Sequence, residues 1–332
     1  MTTSGTIGAT QIDVTTIIEH AARRCGVLAS TLSAEQQISA KENLYFLLSD
    51  LANRGVSLWC VQKNVLGLAL NKKVYDLPVG TLDILNTFYR TCNFVGVPAS
   101  SSAITWATDA GTGNAPAVTT ISVTSATVQT LNLSVQISPD NATWTTLYTV
   151  PAFTTVAGLP YWFDIDPSSA SRYWSIRENT LPALTLTSAS FGYNTTEIEM
   201  SPLNRDDYTN LPNKDFAGRA LQYWYDKQYQ VPRLWLWPVP DNITAQIVIW
   251  NHRHIQDIGA LSNTLEVPQR WFESIIFSLA ARMVLELPAD KLPPGRLEWL
   301  DHKADEHLRR AEDGETDGAP IRITPNFSAY TR

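Results

Sequence analysis

The sequence predicts an α+β protein: a helical bundle with a small β region, interrupted by an inserted antiparallel β-sandwich. Three observations carry this prediction. Apolar residues recur at helical spacing at both ends of the chain, over about 12–53 and 268–313. Alternation replaces that period from Leu66 to Tyr89 and again from Gln222 to Trp250. Between Ala99 and about Phe191 the composition shifts to Thr, Ser and Ala, with no lysine. The implied domains are 1–96 and 196–313 as two parts of one core, 97–195 as the insert, and 314–332 as an extended tail.

The first helix is read from the stripe Ile12, Val14, Ile17, Ile18, Ala21, Ala22 and Cys25, with Asp13 as N-cap and Gly26 just past the end. A second helix runs from about Ala34 to Asn53. Ser33 with Gln36 three residues on forms a capping box, and Arg54-Gly55 ends it. Leu66, Leu68 and Leu70 alternate, Asn71-Lys72-Lys73 turns, and Val74 to Pro78 returns, which reads as a β-hairpin. Val79 to Tyr89 continues as a strand.

Short strands then recur about every ten residues: Thr119–Val123, Val128–Ile137, Thr145–Val150, Tyr161–Ile165, Tyr173–Ile176 and Leu184–Leu186. That spacing is the mark of a sandwich. An insertion requires chain ends that lie close together. The parent pattern resumes at Glu197. Tyr223-Trp224-Tyr225 and Arg233 to Pro238 read as strands, and a third runs from Ala245 towards His254. The central helix follows, with Pro268 at its start and Trp271, Phe272, Ile275, Ile276, Leu279, Ala280, Met283, Val284 and Leu287 on one wide face; Pro288 stops it. A last helix spans about Pro294 to Asp313.

Composition excludes several classes. The 332 residues carry a net charge of −7, which argues against a general nucleic-acid binder. Three cysteines, Cys25, Cys60 and Cys92, are odd in number and share no metal-ligand spacing. No run of 18 apolar residues and no signal-peptide pattern occurs, so the expectation is a soluble protein folded in a reducing cytoplasm. His252 and His254 lack a completing ligand, and His302 with Glu306 is a solvated helix pair. No nucleophile elbow or phosphate loop is present. The expectation is no catalytic residue, no metal and no cofactor. Tyr223, Tyr225, Trp235 and Trp237 place aromatics on both faces of neighbouring strands. One face is core; the other meets either a neighbouring subunit or the chain's own helices.

Two resemblances add to this. The helix hairpin, Val74-Tyr75-Asp76-Leu77-Pro78, Asn213-Lys214 with Gly218-Arg219-Ala220, Leu236 to Asp241, and Leu265 to Trp271 resemble, in order and spacing, the head-to-tail adaptor proteins of short-tailed bacteriophages. The insert resembles discoidin-type (factor 5/8 C-terminal-like) jelly-roll domains. Asp140 and Trp144 fall in a "strand, Ser-x-Asp, turn, Trp" element, and Arg172 and Tyr173 in an Ala-Arg-Tyr-x-x-Ile strand, with Ser171 in place of the alanine.

The first resemblance implies a structural ring, a homo-oligomer of twelve copies beneath a portal protein. The ring would line the DNA exit channel and sit in the virion at the head–tail junction after assembly in the host cytoplasm. Downstream tail or nozzle proteins would join it, with the insert as spacer or as dock for fibres, and no membrane would be involved. The tail residues Ile321, Ile323, Pro325, Phe327 and Tyr330 would anchor it to the portal. The second resemblance, with the exposed aromatics, implies the alternative: a carbohydrate-binding module of a host-recognition or cell-wall-active protein.

Overall fold

The structure, a computed structural model, describes residues 11–55, 58–98, 104–165, 170–181, 186–287 and 293–315. The chain is mostly β-sandwich with a few helices, so the expected balance of a helical bundle with a small β region is corrected. The physical reason is that β-strands outside the 97–195 stretch, at Val61–Gly67, Thr81–Phe94 and Gln246–Arg253, extend the sheet of the sandwich, and Val74–Asp76, Ser201–Leu203, Gln222–Asp226 and Arg233–Trp237 form a further sheet against it. Two compact units result, residues 1–61 with 254–332 and residues 62–253.

The first unit holds α1 (Val14–Cys25) and α2 (Ala34–Asn53), then, beyond the second unit, two more helices. Asp13 caps α1 by accepting from the Thr16 amide at 2.8 Å, and Gly26 ends it at φ 92°. Ser33 and Gln36 make the capping box on α2. The central apolar run is an α-helix only over Phe272–Met283, with 3-10 turns at Gln269–Trp271 and Val284–Glu286. Its extended ending at Leu287 follows from the proline next in sequence, which disfavours helical backbone in the preceding residue. The final helix is Arg296–Asp313. Ile17, Ala21, Leu44, Leu48, Leu279, Ala280, Leu300 and Leu308 are buried in one shared core. Cys25 lies there, and burial pushes its thiol up to about 11.

The second unit contains strands β1 (Val61–Gly67), β2 (Val74–Asp76), β3 (Thr81–Phe94), β4 (Val97–Pro98), β5 (Thr105–Asp109) and β6 (Thr120–Ser125). There follow β7 (Thr130–Leu131), β8 (Leu133–Ser138), β9 (Thr145–Thr149), β10 (Phe153–Thr154), β11 (Pro160–Asp164) and β12 (Tyr173–Glu178). The remainder are β13 (Leu186–Glu199), β14 (Ser201–Leu203), a short α3 (Arg205–Thr209), β15 (Ala217–Gly218), β16 (Gln222–Asp226), β17 (Arg233–Trp237), β18 (Val239–Pro240) and β19 (Gln246–Arg253).

A six-stranded sheet, ordered β1-β19-β3-β13-β6-β11, is the backbone of this unit. Along one stretch it covers the five-stranded sheet β4-β5-β12-β8-β9. Ile121, Val123, Phe191, Leu133, Val135, Trp174 and Ile176 fill the core between them. Along another stretch it meets the four-stranded sheet β14-β16-β17-β2, where Tyr89, Ile247 and Ile249 pack with Tyr75, Tyr223, Leu234 and Leu236. Of the 14-residue strands, β13 sends Ala189 and Phe191 into the first core and β3 sends Ile84 and Tyr89 into the second. Between the two cores their register shifts at a bulge that contains Asn194 at φ 50°. The expected hairpin of β1 with β2 is also corrected. β1 joins the six-stranded sheet and β2 pairs with β17, because Leu68, Tyr75 and Leu77 are drawn into the second core.

Candidate functional site

The outermost strands of the six-stranded sheet, β1 and β11, curl round until they touch. Gly67 lies so near Pro160 that a Cβ on it would stand 2.0 Å from the Pro160 carbonyl oxygen. Lys63 on β1 forms an ion pair with Asp164 on β11. The same Asp164 accepts from Arg90, which also donates to Glu197. Arg90 is almost fully buried. Burial works against its charge, but the hydrogen bonds to Asp164 and Glu197 outweigh it and raise its pKa above the ordinary value.

Beside this seam lies a cleft of about 620 Å³, a size in the range of small-ligand sites. β1 lines it with Lys63, Asn64 and Gly67; β2 with Tyr75 and Asp76; β9 with Tyr148; β11 with Tyr161. Local sequence sets each position. Asn71 adopts φ 57°, which reverses the chain after β1 and presents Lys72 at the rim. Gly158, at φ 75°, turns the chain into β11. The Tyr161 hydroxyl accepts from the Val156 amide at 3.0 Å, and its ring is backed by Phe153 at 5.4 Å. Asp76 accepts from Arg233 at 3.3 Å. The cleft thus offers two half-buried tyrosine rings among amide, ammonium and carboxylate groups.

The residues singled out from sequence fall elsewhere. Asp140 organises the β8–β9 turn: it accepts from the Thr143 amide at 2.8 Å, the Ala142 amide at 3.0 Å and the Ser138 hydroxyl at 2.9 Å. These bonds, the Thr143 and Ala142 amides foremost, hold its carboxyl down at about 2. Arg172 makes a bidentate pair with Asp109 on β5, 2.8 Å at each bond, and its guanidinium lies 4.8 Å from the Tyr173 ring centre. Trp144 follows the turn, half-buried. The structure therefore brings Arg172 and Tyr173 together and gives Asp140 and Arg172 roles in holding the sandwich.

Of the four aromatics expected at a subunit interface, Tyr223 is corrected to core, because it packs in the chain's own second core with Leu234 and Leu236. Tyr225 donates to the Thr81 carbonyl at 2.9 Å, and Trp237 donates to the Asn213 carbonyl at 3.0 Å. Trp235 stacks on Trp224 at 5.6 Å, and Tyr208 of α3 covers both. The tail residues Ile321, Ile323, Pro325, Phe327 and Tyr330 lie outside the described residues. His252 is buried, and among the described residues no group of three His, Cys, Asp or Glu side chains could hold a metal ion. No described helix is long and apolar enough to cross a membrane.

The grouping of these residues into a cleft was missed from sequence. Lys63 and Asp164 are 101 positions apart; Lys63 stands in no motif, and Asp164 falls in the Phe163-Asp164-Ile165 stretch of the discoidin-type resemblance, with nothing to pair it with Lys63.

No family model matches the chain, and no curated protein matches it. Solved structures do. The C-terminal domain of a chitobiase from Bacteroides fragilis is 13% identical, covers 28% of this chain and 64% of its own, and superposes with a TM-score of 0.21. The family 32 carbohydrate-binding module of AlyQ, in complex with 4,5-unsaturated mannuronic acid, is 16% identical over 33% of this chain and 96% of its own, TM-score 0.21. A family 32 module from a family 31 glycoside hydrolase of Clostridium perfringens is 12% identical over 42% and 97%, TM-score 0.23. These neighbours are carbohydrate-binding jelly-roll modules; nothing in the comparisons supports the phage-adaptor reading with its portal, ring and DNA channel, and that expectation is corrected. The motifs behind that reading have local explanations. Val74 to Pro78 holds strand β2 and two core residues, and Leu236 to Pro240 holds the end of β17, β18 and a cis Trp237–Pro238 bond.

Proposed function

We propose that the second unit is a carbohydrate-binding module whose ligand lies in the cleft beside the β1–β11 seam. The observation that supports this is the pairing of Tyr148 and Tyr161 with Lys63, Asn64, Lys72 and Asp76 around one opening. A sugar ring has an apolar C–H face and a rim of hydroxyls. Tyrosine rings pack on the first, and side-chain amide, ammonium and carboxylate groups hydrogen-bond the second. The reading is of binding without turnover. Asp76 and Asp164 each accept from an arginine, unlike the acid and base pair that glycoside hydrolysis needs.

The test is calorimetric titration of the full chain with a panel of neutral, amino and acidic oligosaccharides. At least one class should bind at millimolar concentration or better. Tyr161→Ala and Tyr148→Ala should each weaken that binding about two- to tenfold, the range for one aromatic contact. Silence across the panel, or unchanged affinity in both variants, would remove this cleft as the site.

A further inference from the structure

Building on that reading, we infer that the ligand is an acidic glycan bearing carboxylates, and that Lys72 selects it. The charges at the cleft carry the argument. Its charged lining consists of Lys63, Lys72, Asp76 and Asp164. Asp164 is shared between Lys63 and Arg90, and Arg90 also holds Glu197. Those four groups are two cations and two anions, and they neutralise one another. Asp76 is matched by Arg233. Lys72 belongs to none of these pairs, so its charge is the one left over.

Its placement is fixed by backbone. The Asn71 amide donates to the Pro240 carbonyl at 3.0 Å, and the Lys72 amide donates to the Ala69 carbonyl at 3.3 Å. The ammonium lies 5.0 Å from the centre of the Tyr75 ring, which steadies it without neutralising it. A chain of net charge −7 repels anions at long range, so an anionic ligand needs a local cation to hold it. A neutral sugar gains little from an ammonium group, and an amino sugar is repelled by it. A carboxylate gains a charge-assisted hydrogen bond.

The experiment titrates the full chain with a linear tetrauronate and with its carboxyl-reduced, neutral counterpart of identical linkage. At low salt the tetrauronate should bind about fivefold tighter or better, the effect of one exposed ion pair at its upper range. That preference should shrink at about 0.5 M salt, where the screening length falls to a few ångströms. Lys72→Met should bring the two ligands to equal affinity, and Lys72→Arg should keep the preference. Thermal unfolding of the variants alongside the parent shows that the fold is retained, as expected for an exposed side chain. If the neutral ligand binds as tightly as the tetrauronate, or if Lys72→Met leaves the preference intact, the inference is overturned while the cleft remains a sugar site. If neither ligand binds at millimolar concentration, the inference is overturned, and the oligosaccharide panel decides separately whether the reading it rests on falls too.

Discussion

Gly67→Ala tests the seam on which the cleft depends. The added Cβ would stand 2.0 Å from the Pro160 carbonyl oxygen and 3.0 Å from both the Pro160 carbonyl carbon and Cγ. Ordinary contact begins near 3.4 Å, so β1 and β11 must part by about 1.4 Å. Both sides of the clash are backbone, and no rotamer change relieves it. Overpacking of this kind costs about 1–3 kcal/mol. Opening the seam also stretches the Lys63–Asp164 pair and reshapes the wall that carries Tyr161. The assay is urea unfolding followed by tryptophan fluorescence, with oligosaccharide titration on the same samples. The expected result is a loss of about 1–3 kcal/mol and of most binding. Gly96→Ala is the control, because a Cβ there meets nothing within 4 Å, and it should change stability by less than about 0.5 kcal/mol. A Gly67→Ala protein as stable as that control would refute the contact between the sheet edges.

Trp174→Ala removes a fully buried ring that packs 6.2 Å from Phe191 and whose Nε1 donates to the Ser171 carbonyl. A loss of about 3–5 kcal/mol in denaturant unfolding is expected, and a loss under about 1 kcal/mol would contradict this core. Asp140 gives a pH signature. Its folded pKa of about 2 lies below the ordinary 3.8, so its contribution is present above the ordinary value and is lost as pH falls towards 2. The gap in melting temperature between the parent and Asp140→Asn should therefore be constant above about pH 5 and close as pH approaches about 2. A gap that does not change over this window would mean that the carboxylate charge is not held by the turn.

Much of the local structure was legible because it is written in adjacent residues. Asp13, Gly26, Ser33 and Gln36 mark helix ends by short-range hydrogen bonds, and the helix from Ala34 to Asn53 has the bounds its caps imply. The strands at Thr145, Tyr161 and Tyr173 were equally legible by alternation. Pairing was not. Leu66 to Pro78 reads as a hairpin because its two halves are neighbours in sequence, yet each half gains more by joining a different sheet. β5 escaped notice because Thr105–Asp109 has only a weak alternation of apolar residues. The cleft was illegible for the same reason as the pairing. Its groups come from β1 and β11 of the six-stranded sheet, β2 of the four-stranded sheet and β9 of the five-stranded sheet, and only the packing of the three sheets makes them neighbours. The motif residues Asp140 and Arg172 were visible because a turn and a bidentate pair need particular residues, and that is a demand of architecture rather than of ligand binding.

The long strands β3 and β13 bear on how the segment between them can change hands between proteins. Fourteen residues at about 3.3 Å each make a strand about 46 Å long. Phe94 faces Gly192 near one end of this ladder, and Tyr89 faces Ile198 near the other. At its base the segment 97–195 continues from two hydrogen-bonded neighbours, with one bulge between Tyr193 and Thr196. A recombination event that swapped this segment would have to splice two strands in register at once, since a slip of one residue turns every side chain to the opposite face. Cutting at the base would leave two raw strand ends as sites of intermolecular pairing. Diversification at this place should accordingly proceed by substitution along the cleft wall and by length changes in the distal turns, with the ladder between Phe94 and Gly192 left uncut.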